Sequence, residues 1–135
     1  MIDVSIVAVV NRLKFLDDCL HWMRTKVPEK RQVESEGLES IVKNFMLGRY
    51  NACVGFRDYE LCGYMIYESR GDTCFSKLIF CEPPMKDFYS ALFDSLTEAG
   101  YKYLEFESCY DKKLWNRIGL DRKVERRYSV FRVPV

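Results

Sequence analysis

The sequence is poor in the residues that build metal sites. Among its 135 residues it has one histidine, His21, and six cysteines, none of which belongs to a Cys-x-x-Cys pair. A structural zinc site takes four Cys or His ligands, usually in such closely spaced pairs. We therefore expect no metal centre. The cysteines lie mostly in apolar stretches, where a free thiol behaves as a small buried hydrophobe, and we expect them to be reduced rather than bridged.

A strong net charge and a long apolar run are also missing. Lys and Arg total 21 against 20 Asp and Glu, so the formal net charge is +1, which gives no reason to expect nucleic acid or a membrane as a partner. The longest nearly unbroken apolar run, Val4 to Val10, is far below the ~20 residues of a membrane-spanning helix. No basic segment precedes it, as one would in a secretory signal. These absences predict a soluble, cytoplasmic protein.

The chain has enough apolar material to form the core of one domain. Hydrophobic residues make up 48% of it and aromatic residues 15%, which excludes the disordered and fibrous classes. The length suits a single domain spanning residues 1–135.

Hydrophobic periodicity predicts an α+β protein. A β-branched stretch opens the chain, and helical spacing follows from Arg12. The clearest helical stripe has apolar or small residues on one face: Phe88, Ala91, Leu92, Ser95, Leu96 and Ala99. The expected order is β-α-α-β-β-β-α-β-α-β, with helices on both faces of one sheet. Strands are predicted at 3–10, 51–57, 61–68, 73–81, 102–108 and in the tail, and helices from Arg12, from Leu38, at 86–99 and at 111–118.

The C-terminal half carries a resemblance to a known family. Strand 73–81, helix 86–99 and strand 102–108 are followed by a short helix ending in Trp115, three residues, then Gly119 and Leu120. This order resembles the GCN5-related N-acetyltransferase (GNAT) superfamily over essentially the whole chain. The chain is also similar to small GNAT-like proteins encoded by tailed bacteriophages, including internal virion proteins, and that likeness would place it in the host cytoplasm or the virion.

The resemblance implies a fold and a cofactor. It implies an α/β sandwich around a mixed, mostly antiparallel sheet, with acetyl-CoA inserted between strands 73–81 and 102–108. The pyrophosphate would lie at the N-terminus of helix 86–99, where free N–H groups and the helix dipole favour an anion. The implied cofactor-binding residues are Leu78, Ile79, Phe80, Cys81, Lys86, Asp87 and Phe88.

The expected phosphate-binding loop departs from the family pattern. Members usually carry glycines between this strand and helix, and the segment from Cys81 to Tyr89 has none. Pro83 and Pro84 remove two N–H donors. Glu82 and Asp87 add negative charge, with Lys86 as the compensating cation. We therefore expect a weakened site.

Three residues are the candidates for catalysis. Glu107 lies near the end of strand 102–108 on the same face as Glu105, where a carboxylate could take the proton of an acceptor amine. An ordered water could be the base instead of Glu107, and a solvated strand face is the interpretation without catalysis. Ser108 stands where the family often has asparagine. Trp115 stands where many members have the tyrosine that protonates the departing thiolate, although an indole N–H donates a hydrogen bond and is no practical acid. Glu68 is a weaker candidate base.

The last third of the chain concentrates positive charge. Residues 111–127 hold seven Lys and Arg against three Asp and Glu. This segment could bind the 3′-phosphate of CoA, an acidic partner or nucleic acid, or form a solvated basic face. No nucleic-acid motif is present.

Two functions remain open at this point. One is an acyl-CoA-dependent N-acetyltransferase that transfers the acyl group directly to an amine of unspecified identity. The other is a non-catalytic module with the same fold, such as a virion component, acting through a protein partner or as a homo-oligomer. A gap between strands 73–81 and 102–108 distinguishes them, because the cofactor needs it.

Overall fold

A seven-stranded sheet organises the protein. The computed structural model describes residues 3–25, 37–107, 125–127 and 130–135. The elements are β1 (Val4–Ala8), α1 (Arg12–Thr25), α2 (Leu38–Met46), β2 (Asn51–Arg57), β3 (Glu60–Arg70), β4 (Thr73–Cys81), α3 (Met85–Glu98), β5 (Tyr103–Glu107), β6 (Glu125–Arg127) and β7 (Val130–Pro134). The strand order across the sheet is β1-β2-β3-β4-β5-β7-β6.

Strand direction makes this a mixed, mostly antiparallel sheet. β4 and β5 run parallel, and the other five neighbouring pairs are antiparallel. The parallel pair is joined through α3, as a parallel connection requires. The predicted α+β class is confirmed, and strands 51–57 and 73–81 have the predicted bounds.

The end of the chain differs from the prediction. The predicted order ends in one strand, whereas the structure has two, β6 and β7, paired antiparallel. β7 also pairs with β5 over its whole length, from Tyr103 opposite Pro134 to Glu107 opposite Val130. Two strands fit because β6 is only three residues long. The predicted helix at 111–118 lies outside the described residues.

The two faces of the sheet carry separate cores. On one face α3 buries its apolar side against the sheet, with Phe88, Leu92 and Leu96 among the buried residues. On the other face Phe15 of α1 and Phe45 of α2 pack on β3 and β4. The helices therefore cover both faces, as the apolar patterns predict.

The start of α1 is fixed to the segment that follows α2. The Asn11 side chain accepts a hydrogen bond from the backbone N–H of Lys14 at 3.0 Å, which is an N-cap. One guanidinium nitrogen of Arg12 donates to the carbonyls of Phe45 at 2.7 Å and Tyr50 at 2.8 Å. Arg12 thus connects α1, the end of α2 and the entry to β2.

Candidate functional site

β4 contains a bulge at Lys77. On the β3 side Leu78 lies opposite Ile66 and Ser76 lies opposite Tyr67, so Lys77 is the extra residue. A bulge reverses which side chains face each side of the sheet. Accordingly Cys74 packs in the α3-side core before the bulge, and Ile79 packs against the same core after it.

The pairing between β4 and β5 ends just before this bulge. Their pairing runs from Thr73 opposite Tyr103 to Ser76 opposite Phe106 and goes no further. β4 continues to Cys81 and remains paired with β3 along the way. The edge of residues 78–81 that faces away from β3 therefore has no strand partner among the described residues.

The side chains of this segment point away from that open edge. Leu78 is 2% exposed and belongs to the core beneath α1 and α2. The ring of Phe80 lies 6.1 Å from that of Tyr64 on β3. Ile79 and Cys81 pack on the α3-side core. At the open edge, residues 78–81 therefore present their backbone N–H and C=O groups.

The corner between β4 and α3 presents the start of a helix. The N–H of Glu82 is bonded to the carbonyl of Cys62 at 2.8 Å. Pro84 is the N-cap residue of α3, and no side chain caps the helix there. The first N–H groups of a helix have no partner within the helix, and Lys86 and Asp87 in this first turn are exposed.

Phe88, a predicted cofactor residue, is a core residue in the structure. It is 0% exposed, and its ring lies over Gly55 and Gly63, where an added Cβ would be 2.7 Å from its Cε2 atom. Its side chain therefore cannot reach a ligand. Only its backbone remains available to the predicted site.

Arg57 joins β2 to this corner. Its Nη1 donates to the carbonyl of Pro83 at 3.1 Å and its Nη2 to that of Pro84 at 3.4 Å. The same Nη2 lies 3.8 Å from a carboxylate oxygen of Asp87. Sequence reasoning missed Arg57, because 26 residues separate it from Pro83 and only the register of β2 and β3 brings the two together.

The carboxylates of β5 and β3 are partly described. Glu105 lies 3.6 Å from Nε of Arg132 on β7, and Glu68 forms an ion pair with Arg70. The backbone of Glu107 pairs with Val130 at the last rung of β5 and β7. Ser108 and Trp115 lie outside the described residues, as do Cys109 and most of the basic segment.

The described cysteines are poor nucleophiles. Burial raises the pKa of Cys81 to about 12, and burial also raises the pKa of the neighbouring Cys62 thiol. A thiol is reactive as its thiolate, which is scarce at neutral pH at such a pKa. Cys19, Cys53, Cys62, Cys74 and Cys81 form no disulfide in this structure.

A groove of about 430 Å³ lies on the other side of α3, against β1. Its lining includes the carboxylates of Asp3, Asp87, Asp94 and Glu98, and no described lysine or arginine. Such a groove repels phosphate.

The described residues contain neither a candidate metal site nor a candidate membrane-spanning helix. No group of three or more His, Cys, Asp or Glu side chains in that part of the chain could hold a metal ion. No helix in the same residues has the length and apolar character needed to cross a bilayer.

Solved structures resemble this one over nearly the whole chain. An acetyltransferase from Bacillus subtilis in complex with CoA covers 100% of the chain and is itself covered to 99%, with a TM-score of 0.58 and 10% identity. An acetyltransferase of the GNAT family from Desulfovibrio desulfuricans matches 97% of this chain and 98% of its own, with a TM-score of 0.57 and 14% identity. The fold is that of GNAT acetyltransferases.

A third similar structure contains two bound molecules. The aminoglycoside acetyltransferase AAC(6')-Ib, in complex with coenzyme A and kanamycin, covers 98% of this chain and is covered to 95%, with a TM-score of 0.65 and 10% identity. No protein-family model matches the sequence, and no curated protein matches it. These likenesses give no support to a phage origin.

Proposed function

We propose that the protein is an acyl-CoA-dependent N-acetyltransferase that transfers the acyl group directly to an amine. The end of the β4–β5 pairing at Ser76 and Phe106, while β4 continues to Cys81, is the observation that carries the proposal. It leaves a backbone edge without a strand partner among the described residues, next to the start of a helix. The GNAT fold, and the CoA present in two of the similar structures, make acetyl-CoA the ligand to test first.

The residues present fit the pantetheine arm of this cofactor. An extended amide chain can bind a free strand edge through main-chain hydrogen bonds, and the open edge of β4 spans Leu78 to Cys81. Because the side chains of this segment are directed elsewhere, nothing described in it blocks such pairing. The thioester, once bound, supplies an activated acyl group.

The phosphate groups of the cofactor would find weaker binding partners than the pantetheine arm. The N–H groups of Met85, Lys86 and Asp87 are the donors that the first turn of α3 provides. The two prolines before them contribute no N–H. Glu82 and Asp87 oppose an anion, and Lys86 favours one. We infer that the protein binds CoA more weakly than a glycine-rich loop would allow.

The candidate base for proton removal lies at the end of β5. A protonated amine is not a nucleophile, so its proton must pass to a base before the nitrogen attacks the acyl carbon. Glu107 is our candidate for that base. Ser108 and Trp115, the other two candidates, follow β5 in the sequence, and Trp115 would donate a hydrogen bond to the departing thiolate rather than a proton.

Ligand-dependent thermal stability tests the proposal. Acetyl-CoA at 100 times its dissociation constant stabilises a native protein by roughly 2.7 kcal/mol, so we expect a clear rise in Tm. Adenosine 3′,5′-bisphosphate, which lacks the pantetheine arm, should raise Tm less, because it cannot use the edge of β4. No shift at millimolar acetyl-CoA would refute the proposal and leave the non-catalytic module as the remaining function.

A further inference from the structure

We propose that Arg57 is a positioning residue for the cofactor: it holds the β4–α3 corner so that the first turn of α3 can bind the pyrophosphate. This inference rests on the proposed function. It assigns the phosphate end of the site a residue from β2, which lies two strands away from β4 in the sheet.

The geometry shows a rigid connection at this corner. Two nitrogens of one guanidinium bind the carbonyls of consecutive residues, Pro83 and Pro84. A planar guanidinium fixes direction as well as distance. No side chain caps α3 at this end, and Arg57 supplies two hydrogen bonds to the turn that precedes the helix.

Arg57 also changes the charge that a phosphate would meet. Asp87 lies in the first turn of α3, and its carboxylate would repel the ligand. The Nη2 atom of Arg57 lies 3.8 Å from that carboxylate and offsets part of its charge. The Arg57 side chain is only 17% exposed, so solvent screens this effect less than it would at the surface.

Arg57 should therefore affect the binding of one part of the cofactor and not the other. The hydrogen bonds of Arg57 go to Pro83 and Pro84, next to the phosphate end, and not to the edge of β4 from Leu78 to Cys81. Its loss should weaken binding of the phosphate-bearing part of the cofactor and leave the pantetheine part unaffected. A residue that merely stabilises the fold would affect both parts equally.

The test compares two ligands on the full chain. We expect Arg57→Met to weaken the affinity for acetyl-CoA by about tenfold, as measured by isothermal titration calorimetry, because the first turn of α3 is then held less well for the pyrophosphate. The affinity for S-acetyl-pantetheine, followed by NMR titration, should stay within the error of the measurement. Arg57→Lys, which keeps the charge and one donor, should recover part of the loss. Arg49→Met, a change in an exposed arginine bonded to Asn44, is the matched control and should alter neither affinity.

A second variant, Asp87→Asn, tests the charge at the corner while Arg57 is kept. It removes the repelling charge at an exposed position, and we expect it to tighten acetyl-CoA binding. The same change made together with Arg57→Met should tighten binding more strongly. Equal acetyl-CoA affinities of wild type and Arg57→Met would overturn the inference and leave the proposed function intact. Equal losses for both ligands would also overturn it, because they indicate a general structural role. A wild-type protein that binds neither ligand refutes the proposed function itself and removes the inference with it.

Discussion

Gly55 and Gly63 lie directly opposite each other on β2 and β3, and the ring of Phe88 occupies the space that two side chains would otherwise fill. A Cβ at either position would come within 2.7 Å of Cε2 of Phe88. The close approach of α3 to the sheet therefore depends on two glycines. Since α3 begins at the β4–α3 corner, this contact also sets where that corner lies.

Gly63→Ala should destabilise the protein. Its new Cβ would meet the backbone oxygen of Phe80 at 2.8 Å as well as the ring of Phe88, and a backbone atom cannot move aside cheaply. We expect a loss of about 1–3 kcal/mol, typical of overpacking, measured by urea unfolding. Gly37→Ala is the control, since nothing lies within 4 Å of a Cβ there. A Gly63→Ala protein as stable as wild type would contradict the close packing described.

Tyr59→Gly should stabilise the protein. Asp58 and Tyr59 form the two-residue β2–β3 turn with φ values of 52° and 66°, a left-handed conformation that glycine adopts without strain. The Tyr59 side chain is fully exposed, so its removal loses no packing. We expect a gain of roughly 0.5–1 kcal/mol after the entropy of glycine is deducted.

Thermal unfolding of Tyr59→Ala supplies the comparison for that turn. Alanine keeps the Cβ and therefore the strain, so its Tm should remain close to that of wild type. A gain as large in Tyr59→Ala as in Tyr59→Gly would show that the backbone conformation is not the cause.

Arg12→Ala should loosen the contact between α1 and α2. The change removes two hydrogen bonds to the carbonyls of Phe45 and Tyr50 and leaves these acceptors in a half-buried position. We expect a loss of roughly 1–3 kcal/mol, read from chemical denaturation. Lys14→Ala, at an exposed position two residues along the same helix, should leave the midpoint nearly unchanged. If the two variants unfold alike, Arg12 does not have the connecting role.

Stability should fall at alkaline pH. Burial raises the pKa of Cys19, Cys53 and Cys81 from about 9 to about 12. Between these values the folded protein keeps the thiol protons that the unfolded chain releases. The unfolded state therefore binds fewer protons, and the free energy of unfolding decreases as pH rises above about 9.

Urea unfolding from pH 7.5 to pH 10.5 measures this fall. Cys53→Ala should show a shallower decline than wild type, which separates the thiol contribution from that of lysines. A flat profile in wild type would mean that these thiols are more exposed than the structure shows.

Glu107→Gln tests the proposed base. Loss of a general base lowers kcat by about 10²–10⁴-fold, and acetyl-CoA affinity should be retained because glutamine keeps the size and shape of the side chain. Glu105→Gln is the matched control on the same strand. Its carboxylate is already paired with Arg132, so we expect its kcat to stay near that of wild type.

The sequence predicts the elements better than the contacts between them. The helical stripe from Phe88 to Ala99 and the strand ended by Pro83 are local patterns, and both elements appear within one residue of the predicted bounds. The same stripe predicts that Phe88 is buried, yet the family resemblance places it at the cofactor. Packing against Gly55 and Gly63 buries the side chain of Phe88 and leaves only its backbone for the cofactor.

The features missed at the candidate site depend on strand register. The bulge at Lys77 exists only relative to Ile66 and Tyr67 on β3, and no local pattern marks it. The contact of Arg57 with Pro83 needs the β2–β3 hairpin in place. The second tail strand was missed because β6 is too short to show a period.

The parallel pairing of β4 with β5 also bears on how the chain folds. β2, β3 and β4 are joined by short turns and can pair as soon as those turns form, whereas the four rungs between β4 and β5 must wait for α3 to dock and bring distant residues together. Contacts between residues far apart in sequence form more slowly because more chain entropy is lost first. We therefore expect the β2–β4 meander to gain hydrogen-exchange protection early during refolding, and the strands from β5 onwards to gain it last.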